Sequence, residues 1–156
     1  MVALRYEGCA HFRQRIAASA LSGKKIRIDK IREDDEQPGL QDFEANFLRL
    51  LEKLMDGISI DINETGTILK FRPGIITGGH ISHDCVNSRS IGWFIEGLLP
   101  LLLFAKEPVF LHLSGVTNNL TDLSVDIIKN VTLPCLRNFG VEGAELRVKR
   151  RGAAPG

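Results

Sequence analysis

One stretch of the chain carries a clear helical pattern of apolar residues. Its positions i, i+4, i+7, i+8 and i+11 are occupied by Phe43, Phe47, Leu50, Leu51 and Leu54. This spacing predicts an amphipathic helix, because the five side chains share one face. Asp42 is suited to open this helix and Gly57 to close it.

Weaker patterns predict three more helices. A short one covers residues 9–21, with Gly23 as its stop. Residues 88–104 are apolar on nearly every side, so we expect this helix to be buried between other elements. The last covers residues 123–139, with a kink at Pro134, because proline lacks the N–H that a helix interior needs.

Alternation of apolar and polar residues predicts strands between these helices. The predicted strands cover residues 24–31, 58–62, 68–71, 80–85, 109–113 and 144–148. The turn sequence at residues 63–66 joins the second and third of them, which is typical of a β-hairpin.

The order of helix, strand, long helix and alternating strand occurs twice, over residues 9–71 and 88–150. Two copies of one such unit indicate an α/β fold with sheets packed on helices. We therefore expect a first repeat over residues 1–79 and a second over 80–156. The second lacks a closing hairpin strand, so we expect it to be incomplete at its C-terminal end and the sequence to be a piece of a longer protein.

The composition is that of an average globular domain. The 156 residues are 44% hydrophobic and 25% charged, with a formal net charge of +1. With so small a net charge, an anionic partner must bind to a local basic patch. Three cysteines, odd in number and widely spaced, argue against a disulfide framework and favour a reducing compartment.

Neither a membrane span nor a signal peptide is expected. The most apolar stretch, residues 91–105, is shorter than the roughly 20 residues of a spanning helix and contains Glu96 and Pro100. The N-terminus has four residues before its first charge, too few for the apolar core of a signal peptide.

Several residues have both a chemical and a plain structural interpretation. His80, His83 and Cys85 are candidate zinc ligands, but a strand places His80 on the opposite face from the other two, which favours ordinary strand packing. Cys9 beside His11 suggests a nucleophile and its base, whereas a buried structural thiol is the simpler interpretation.

Candidate phosphate and magnesium sites have plain alternatives as well. The acidic run 33–36 suits Mg²⁺ or a solvated loop, and the glycines at 74, 78 and 79 beside Arg72 suit a phosphate cradle or a turn. The basic residues 149–151 suit RNA phosphates, although three charges are weak evidence. From the residues alone, the chain is an α/β repeat protein without a visible catalytic, metal or cofactor site.

Six motifs occur in the order in which they occur in one known family. They are SGKKIRI (22–28), PGL (38–40), FRPG followed by GG (71–79), LLPLLLFA (98–105), SGVTNN (114–119) and RRGAAPG (150–156). Along its whole length the chain resembles the RNA 3′-terminal phosphate cyclase family. The resemblance implies three α/β repeats of βαβαββ type and an inserted smaller domain, of which the third repeat and the inserted domain are absent from this chain.

Within that family, three motifs resemble the cyclase-like branch and not the enzymes. They are PGLQDFE (38–44), HDC (83–85) and GVTNN with its following DLSVD (122–126). This resemblance implies a noncatalytic assembly factor of the small-subunit processome in the nucleolus, which supports early pre-rRNA processing. The implied partners are a ribosome-assembly GTPase, pre-rRNA and other processome proteins. The alternative is an ATP-dependent RNA 3′-phosphate cyclase.

Departures from the enzymes' pattern bear on that choice. The enzymes carry Glu, a glycine run and Gln near the first helix, where this chain has EGCAH (7–11). A nucleotide-binding Gln of the enzymes corresponds to Asp42, and a carboxylate there repels a triphosphate. The enzymes' catalytic His belongs to a part of the family that this sequence does not include. We therefore expect no catalytic residue and no cofactor site in residues 1–156.

Arg13, Arg32 and Arg72 match positions that are basic in the enzymes. In the family such positions line one cleft, so the resemblance implies a site for RNA or another anion formed by these three residues. The alternative is three separate surface arginines paired with carboxylates, such as those of residues 33–36.

Overall fold

The computed structural model describes residues 3–154, in which sheets pack against helices. The mixed α/β class expected from the sequence is confirmed. The last two residues of the RRGAAPG motif lie outside the described residues. In chain order the elements are β1 (Leu4–Glu7), α1 (Phe12–Ser22), β2 (Ile26–Asp29), α2 (Asp42–Leu54), β3 (Met55–Asp56), β4 (Ser59–Ile62), β5 (Leu69–Arg72), β6 (Ile75–Ile76), β7 (Gly79–Asp84), α3 (Ile91–Leu102), β8 (Val109–Ser114), α4 (Val125–Ile127), a π-helical segment (Ile128–Thr132) and α5 (Leu133–Asn138).

A four-stranded sheet in the order β1-β2-β5-β4 forms in the first half of the chain. β1 and β2 run parallel and are joined through α1, while β2, β5 and β4 are antiparallel neighbours. The predicted strand and hairpin are confirmed. β1 was not predicted, because four alternating residues near a chain end are too few to mark a strand. The inward side chains of β2 and β5 are at most 2% exposed: Ile26, Ile28, Leu69 and Phe71.

The first two predicted helices are present with small shifts in their ends. α1 is followed by Gly23, whose φ of 68° permits the left-handed cap that ends the helix. α2 starts at Asp42, as its apolar spacing predicts. It ends at Leu54, before Gly57, because the next two residues form β3 and pair with β6.

β7 and β8 form a separate parallel pair joined through α3. This helix is buried, as its all-round apolar sequence predicts: Phe94 and Leu98 are 0% exposed. The Phe47 ring of α2 contacts the rings of Trp93 and Phe94, so α2 and α3 share one core. None of the helices in the described range has both the length and the apolar character needed to cross a bilayer.

The last predicted helix is present but divided. α4, the π-helical segment and α5 follow one another without a break from Val125 to Asn138. Pro134 comes two residues after the π-helical segment and has no backbone N–H to donate. The disturbance that the sequence predicts at Pro134 therefore takes the form of a widened helical turn.

The strand predicted over residues 144–148 is wrong, because these residues pair with no strand in the part of the chain that the structure describes. The alternation itself is real: Leu146 and Val148 are half-buried against the core, while Glu145 and Arg147 are exposed. A strand also needs a neighbour for its backbone hydrogen bonds. Alternating burial predicts the extended shape of this segment but does not supply that neighbour.

A candidate anion-binding cleft

A shallow cleft of about 270 Å³ lies where the start of α1, the loop after β2 and the start of α3 meet. Because β1 and β2 are parallel, the segments that follow them emerge at the same edge of the sheet, which is where open α/β folds commonly bind ligands. The cleft is lined by Cys9, His11, Phe12, Arg13, Gln14, Arg32, Phe43, Glu44, Arg89 and Trp93.

Arg13 lies in the first turn of α1 and packs against the second half of the chain. Its guanidinium carbon is 4.6 Å from the centroid of the Trp93 ring, a cation–π distance. One Nη donates to the Trp93 carbonyl oxygen and, at 3.2 Å, to Glu96. The Arg13 side chain is 19% exposed, so it is fixed at the cleft wall and still reaches solvent.

Arg32 is held by a nearly buried carboxylate. Its two Nη atoms donate to the two carboxylate oxygens of Glu44 at 2.7 and 3.0 Å, the bidentate geometry that makes such pairs strong. The hydrogen bond to Glu44 raises the pKa of Arg32 above its ordinary value. The backbone N–H of Gln41 also donates to Glu44 at 2.9 Å. The carboxylate therefore fixes both the start of α2 and the arginine.

Arg89 completes the cleft from the loop before α3. Its guanidinium carbon is 4.8 Å from the Phe43 ring centroid, and one Nη donates to Asp122 at 2.6 Å. Although burial alone would raise it, hydrogen bonds from the Ser90 N–H, Asn119 and Arg89 hold the pKa of Asp122 below its ordinary value. Sequence reasoning missed Arg89, since a lone arginine before a helix carries no distinctive signal.

The backbone is unusual at two positions of the cleft. His11 and Arg32 are non-glycine residues with φ values of 54° and 45°, in the left-handed region. Such conformations cost about 1 to 3 kcal/mol and concentrate at functional sites. The first turn of α1 lines the cleft through Phe12 and Gln14 and has no acidic residue, so no carboxylate of that turn offsets the positive end of the helix dipole.

The structure brings Arg13 and Arg32 into one cleft but places Arg72 elsewhere. Arg72 ends the antiparallel strand β5 and lies opposite Ser59, beside the start of β2, whereas Arg32 follows the end of β2. Its side chain is also exposed on the face of the sheet opposite the buried Phe71. The carboxylate partners of Arg13 and Arg32 are Glu96 and Glu44, not the acidic run 33–36.

Asp42, the position of the enzymes' glutamine, does not line the cleft. The Ser88 hydroxyl donates its one proton to the Asp42 carboxylate and lies 2.9 Å from each carboxylate oxygen. Asp42 therefore connects the start of α2 to the loop before α3.

The three candidate zinc ligands belong to the β7–β8 pair and its surroundings. His80 is exposed and stacks on Phe110, while His83 and Cys85 are buried on the opposite face. His83 Nε2 lies 2.8 Å from the side-chain oxygen of Asn46. Burial raises the pKa of the Cys85 thiol to about 12, so it stays a protonated core thiol. Within residues 3–154, no cluster of His, Cys, Asp or Glu side chains has the arrangement of a metal site.

Fold and cleft together define an α/β protein in which segments that follow parallel strands place fixed arginines in one cleft. The sequence profile of the RNA 3′-terminal phosphate cyclases matches residues 4–156. The chain belongs to this family.

Individual relatives extend the comparison. A probable RNA 3′-terminal phosphate cyclase-like protein of Dictyostelium discoideum is 51% identical over 154 residues, and the human RNA 3′-terminal phosphate cyclase-like protein is 49% identical over 155. An rRNA processing protein of Saccharomyces cerevisiae is 41% identical over 150 residues. These matches cover 96–98% of this chain and 41–42% of each relative. The chain thus spans about two-fifths of the length of these curated relatives.

Proposed function

We propose that this chain is the N-terminal portion of a noncatalytic assembly factor that acts in pre-rRNA processing. Relatives that are 41–45% identical over nearly the whole chain are named rRNA processing proteins, which supports this role. The observation that carries the proposal is the arginine cleft, because fixed guanidinium groups are suited to the phosphates of RNA.

The cleft contacts RNA through donors that its own carboxylates leave free. A guanidinium has five N–H donors, and the ion pairs described above use only part of them. Glu44 and Asp122, each with a side chain 3% exposed, hold Arg32 and Arg89 in place before a ligand arrives. This preorganisation lowers the entropic cost of binding a phosphate.

The same proposal places the protein in the nucleolus, within the small-subunit processome. Its proposed partners are a ribosome-assembly GTPase, pre-rRNA and other processome proteins, as the cyclase-like branch implies. Large exposed apolar side chains support protein contacts: Phe104 is 68% and Phe139 is 86% exposed.

We also propose the two-repeat division at residues 1–79 and 80–156, which is supported by the parallel pairs β1–β2 and β7–β8, each joined through one helix.

An ATP-dependent cyclase is the alternative function, and the family membership favours it. The EGCAH segment (7–11) argues against it, because its Cys9 and His11 line the cleft at the place in the sequence where the enzymes carry a glycine run. The proposed protein therefore uses the family fold to bind RNA without adenylation chemistry.

Ultraviolet crosslinking of the full chain in purified small-subunit precursor particles tests this function. We expect pre-rRNA crosslinks at residues 9–14 and 89–93, together with recovery of an assembly GTPase. Particles that contain the chain but give no pre-rRNA crosslink to it would overturn the proposed RNA contact. Absence of the chain from such particles would overturn the assembly role.

A further inference from the structure

Three cations form a row across three neighbouring strands on the outer face of the four-stranded sheet. The strand register pairs Arg5 on β1 with Arg27 on β2, and Arg27 with Lys70 on β5. The inward neighbours Ile26, Ile28, Leu69 and Phe71 are buried, so the alternation of the strands directs these cations to the opposite, solvent side.

A second row extends this positive surface. Ile26 pairs with Phe71 in antiparallel register, so Lys25 before β2 and Arg72 at the end of β5 are neighbours. Both are exposed. We call the set Arg5, Lys25, Arg27, Lys70 and Arg72 the outer basic face.

Two carboxylates neutralise only part of the outer basic face. Asp29 accepts from Arg27 at 2.8 and 3.0 Å, and Asp61 accepts from Lys70 at 2.9 Å. Glu7 also points outward but pairs with Lys30 at 3.1 Å, so among the described residues Arg5, Lys25 and Arg72 have no ion-pair partner. Like charges directly opposite on adjacent strands destabilise a sheet. The arrangement therefore has a cost in the free protein that an anionic partner relieves.

We infer that the outer basic face is a second RNA-binding surface, which contacts the phosphate backbone independently of the cleft. The inference rests on the proposed role in rRNA processing. Three of the five cations are arginines, whose planar forks match phosphate geometry. Double-stranded RNA is recognised mainly through its shape and its backbone, which a row of cations along a sheet face suits. A shallow depression of about 140 Å³ lies beside Arg27, Asp61 and Lys70 on this face.

The composition of the face favours RNA over a protein partner. Protein interfaces depend on buried aromatic or apolar anchors. The outward side chains of this sheet are all charged or polar: Arg5, Glu7, Arg27, Asp29, Ser59, Asp61, Lys70 and Arg72.

The outer face of the β7–β8 pair differs in charge. Its outward positions hold neither lysine nor arginine: His80, Ser82, Asp84, Phe110, His112 and Ser114. A positive outer face is therefore particular to the first sheet and does not follow from this α/β architecture in general.

The test measures RNA affinity of the full chain across a salt series of about 50 to 300 mM, with a labelled RNA hairpin of about 16 base pairs as the probe. The variant carries Arg5→Gln, Lys70→Gln and Arg72→Gln. The matched control removes three exposed cations elsewhere, with Lys106→Gln, Lys129→Gln and Arg137→Gln. Each phosphate contact contributes about 0.9 to the log–log slope on a duplex, so we expect the variant's slope to be smaller by about 2.7 and the control's slope to equal the wild-type slope.

A cleft variant, Arg13→Gln with Arg89→Gln, is measured in parallel and separates this inference from the proposed function. Loss of slope only in the cleft variant would overturn the outer basic face and leave the cleft intact. Loss only in the outer-face variant supports the inference and counts against the cleft. Equal losses in the outer-face variant and its control, or no salt-dependent binding by the wild-type chain, would also overturn the inference.

Discussion

Arg32 owes its position to Glu44, whose side chain is 3% exposed. Replacing Arg32 by Gln leaves this carboxylate buried without its cation, which costs about 3 to 5 kcal/mol in comparable buried pairs. We expect a loss of that size in the free energy of unfolding, measured by urea titration. The control is Lys70→Gln, which breaks an exposed pair with Asp61 and costs less than about 1 kcal/mol. Equal losses in the two variants would show that Glu44 does not depend on Arg32.

Asp122 makes stability depend on pH in a defined direction. The pKa of Asp122 in the folded state lies below its ordinary value of 3.8. The contribution of the ionised carboxylate to the free energy of unfolding is therefore fully present above about pH 4 and is lost as the pH falls through the lowered pKa. We expect Asp122→Asn to lower the free energy of unfolding at pH 7 and to differ less from wild type below about pH 3.

Urea titrations at several pH values measure this difference. The control Glu64→Gln, in the exposed hairpin turn, is expected to change the free energy of unfolding by less than about 0.5 kcal/mol. A deficit of Asp122→Asn that stays constant from pH 7 to about pH 2 contradicts the assigned ionisation.

At the scale of elements, Gly97 sets the distance between α3 and its neighbours. A Cβ on Gly97 would lie 2.8 Å from the Phe47 ring and 3.1 Å from the Arg13 side chain. Phe47 is fully buried, so Gly97→Ala overpacks the core and is expected to cost about 1 to 3 kcal/mol of unfolding free energy.

Phe47→Leu in the Gly97→Ala background provides the matching test, because it makes room for the new methyl group. We expect the double variant to be less destabilised than the sum of the two single changes. Strictly additive losses, or a Gly97→Ala protein more stable than wild type, contradict the close packing of α2 and α3.

The sequence predicts elements better than their pairing. The apolar spacing of Phe43 to Leu54 predicts the two ends of α2 almost to the residue, and the apolar sequence of α3 predicts that this helix is buried. The same alternation wrongly predicts a strand over residues 144–148, because periodicity reports which side chains face the core and not which backbone lies alongside. β1 was missed for the opposite reason: it is short, and its pairing with β2 makes it a strand.

Only part of the cleft could be predicted from the sequence. Arg13 and Arg32 could be predicted from matched family positions. Arg89 could not, because it lies in the cleft only through the contacts of its own side chain with Phe43 and Asp122. Arg72 was grouped with them by resemblance, but the antiparallel direction of β5 places it at the other end of the sheet. Such groupings depend on topology, which a linear motif does not contain.

At the scale of the whole molecule, we expect the protein to bind RNA without adenylation chemistry. The full-length protein that contains this chain, incubated with labelled ATP and Mg²⁺, is expected to form no covalent AMP adduct, since the chain has EGCAH (7–11) where the enzymes carry a glycine run. Label is measured after denaturing electrophoresis, with an active RNA 3′-terminal phosphate cyclase as the positive control. Label retained on the full-length protein would favour the cyclase alternative.

The salt dependence of RNA binding decides whether the cleft contacts RNA phosphates. The measurement compares the full chain with its Arg13→Gln, Arg89→Gln variant on a labelled single-stranded RNA, after thermal unfolding has shown that both are folded. Each lost phosphate contact lowers the log–log slope by about 0.7 on a single strand, so we predict a slope smaller by about 1.4 and weaker binding at low salt. Equal affinities and equal slopes for the two proteins would contradict the account.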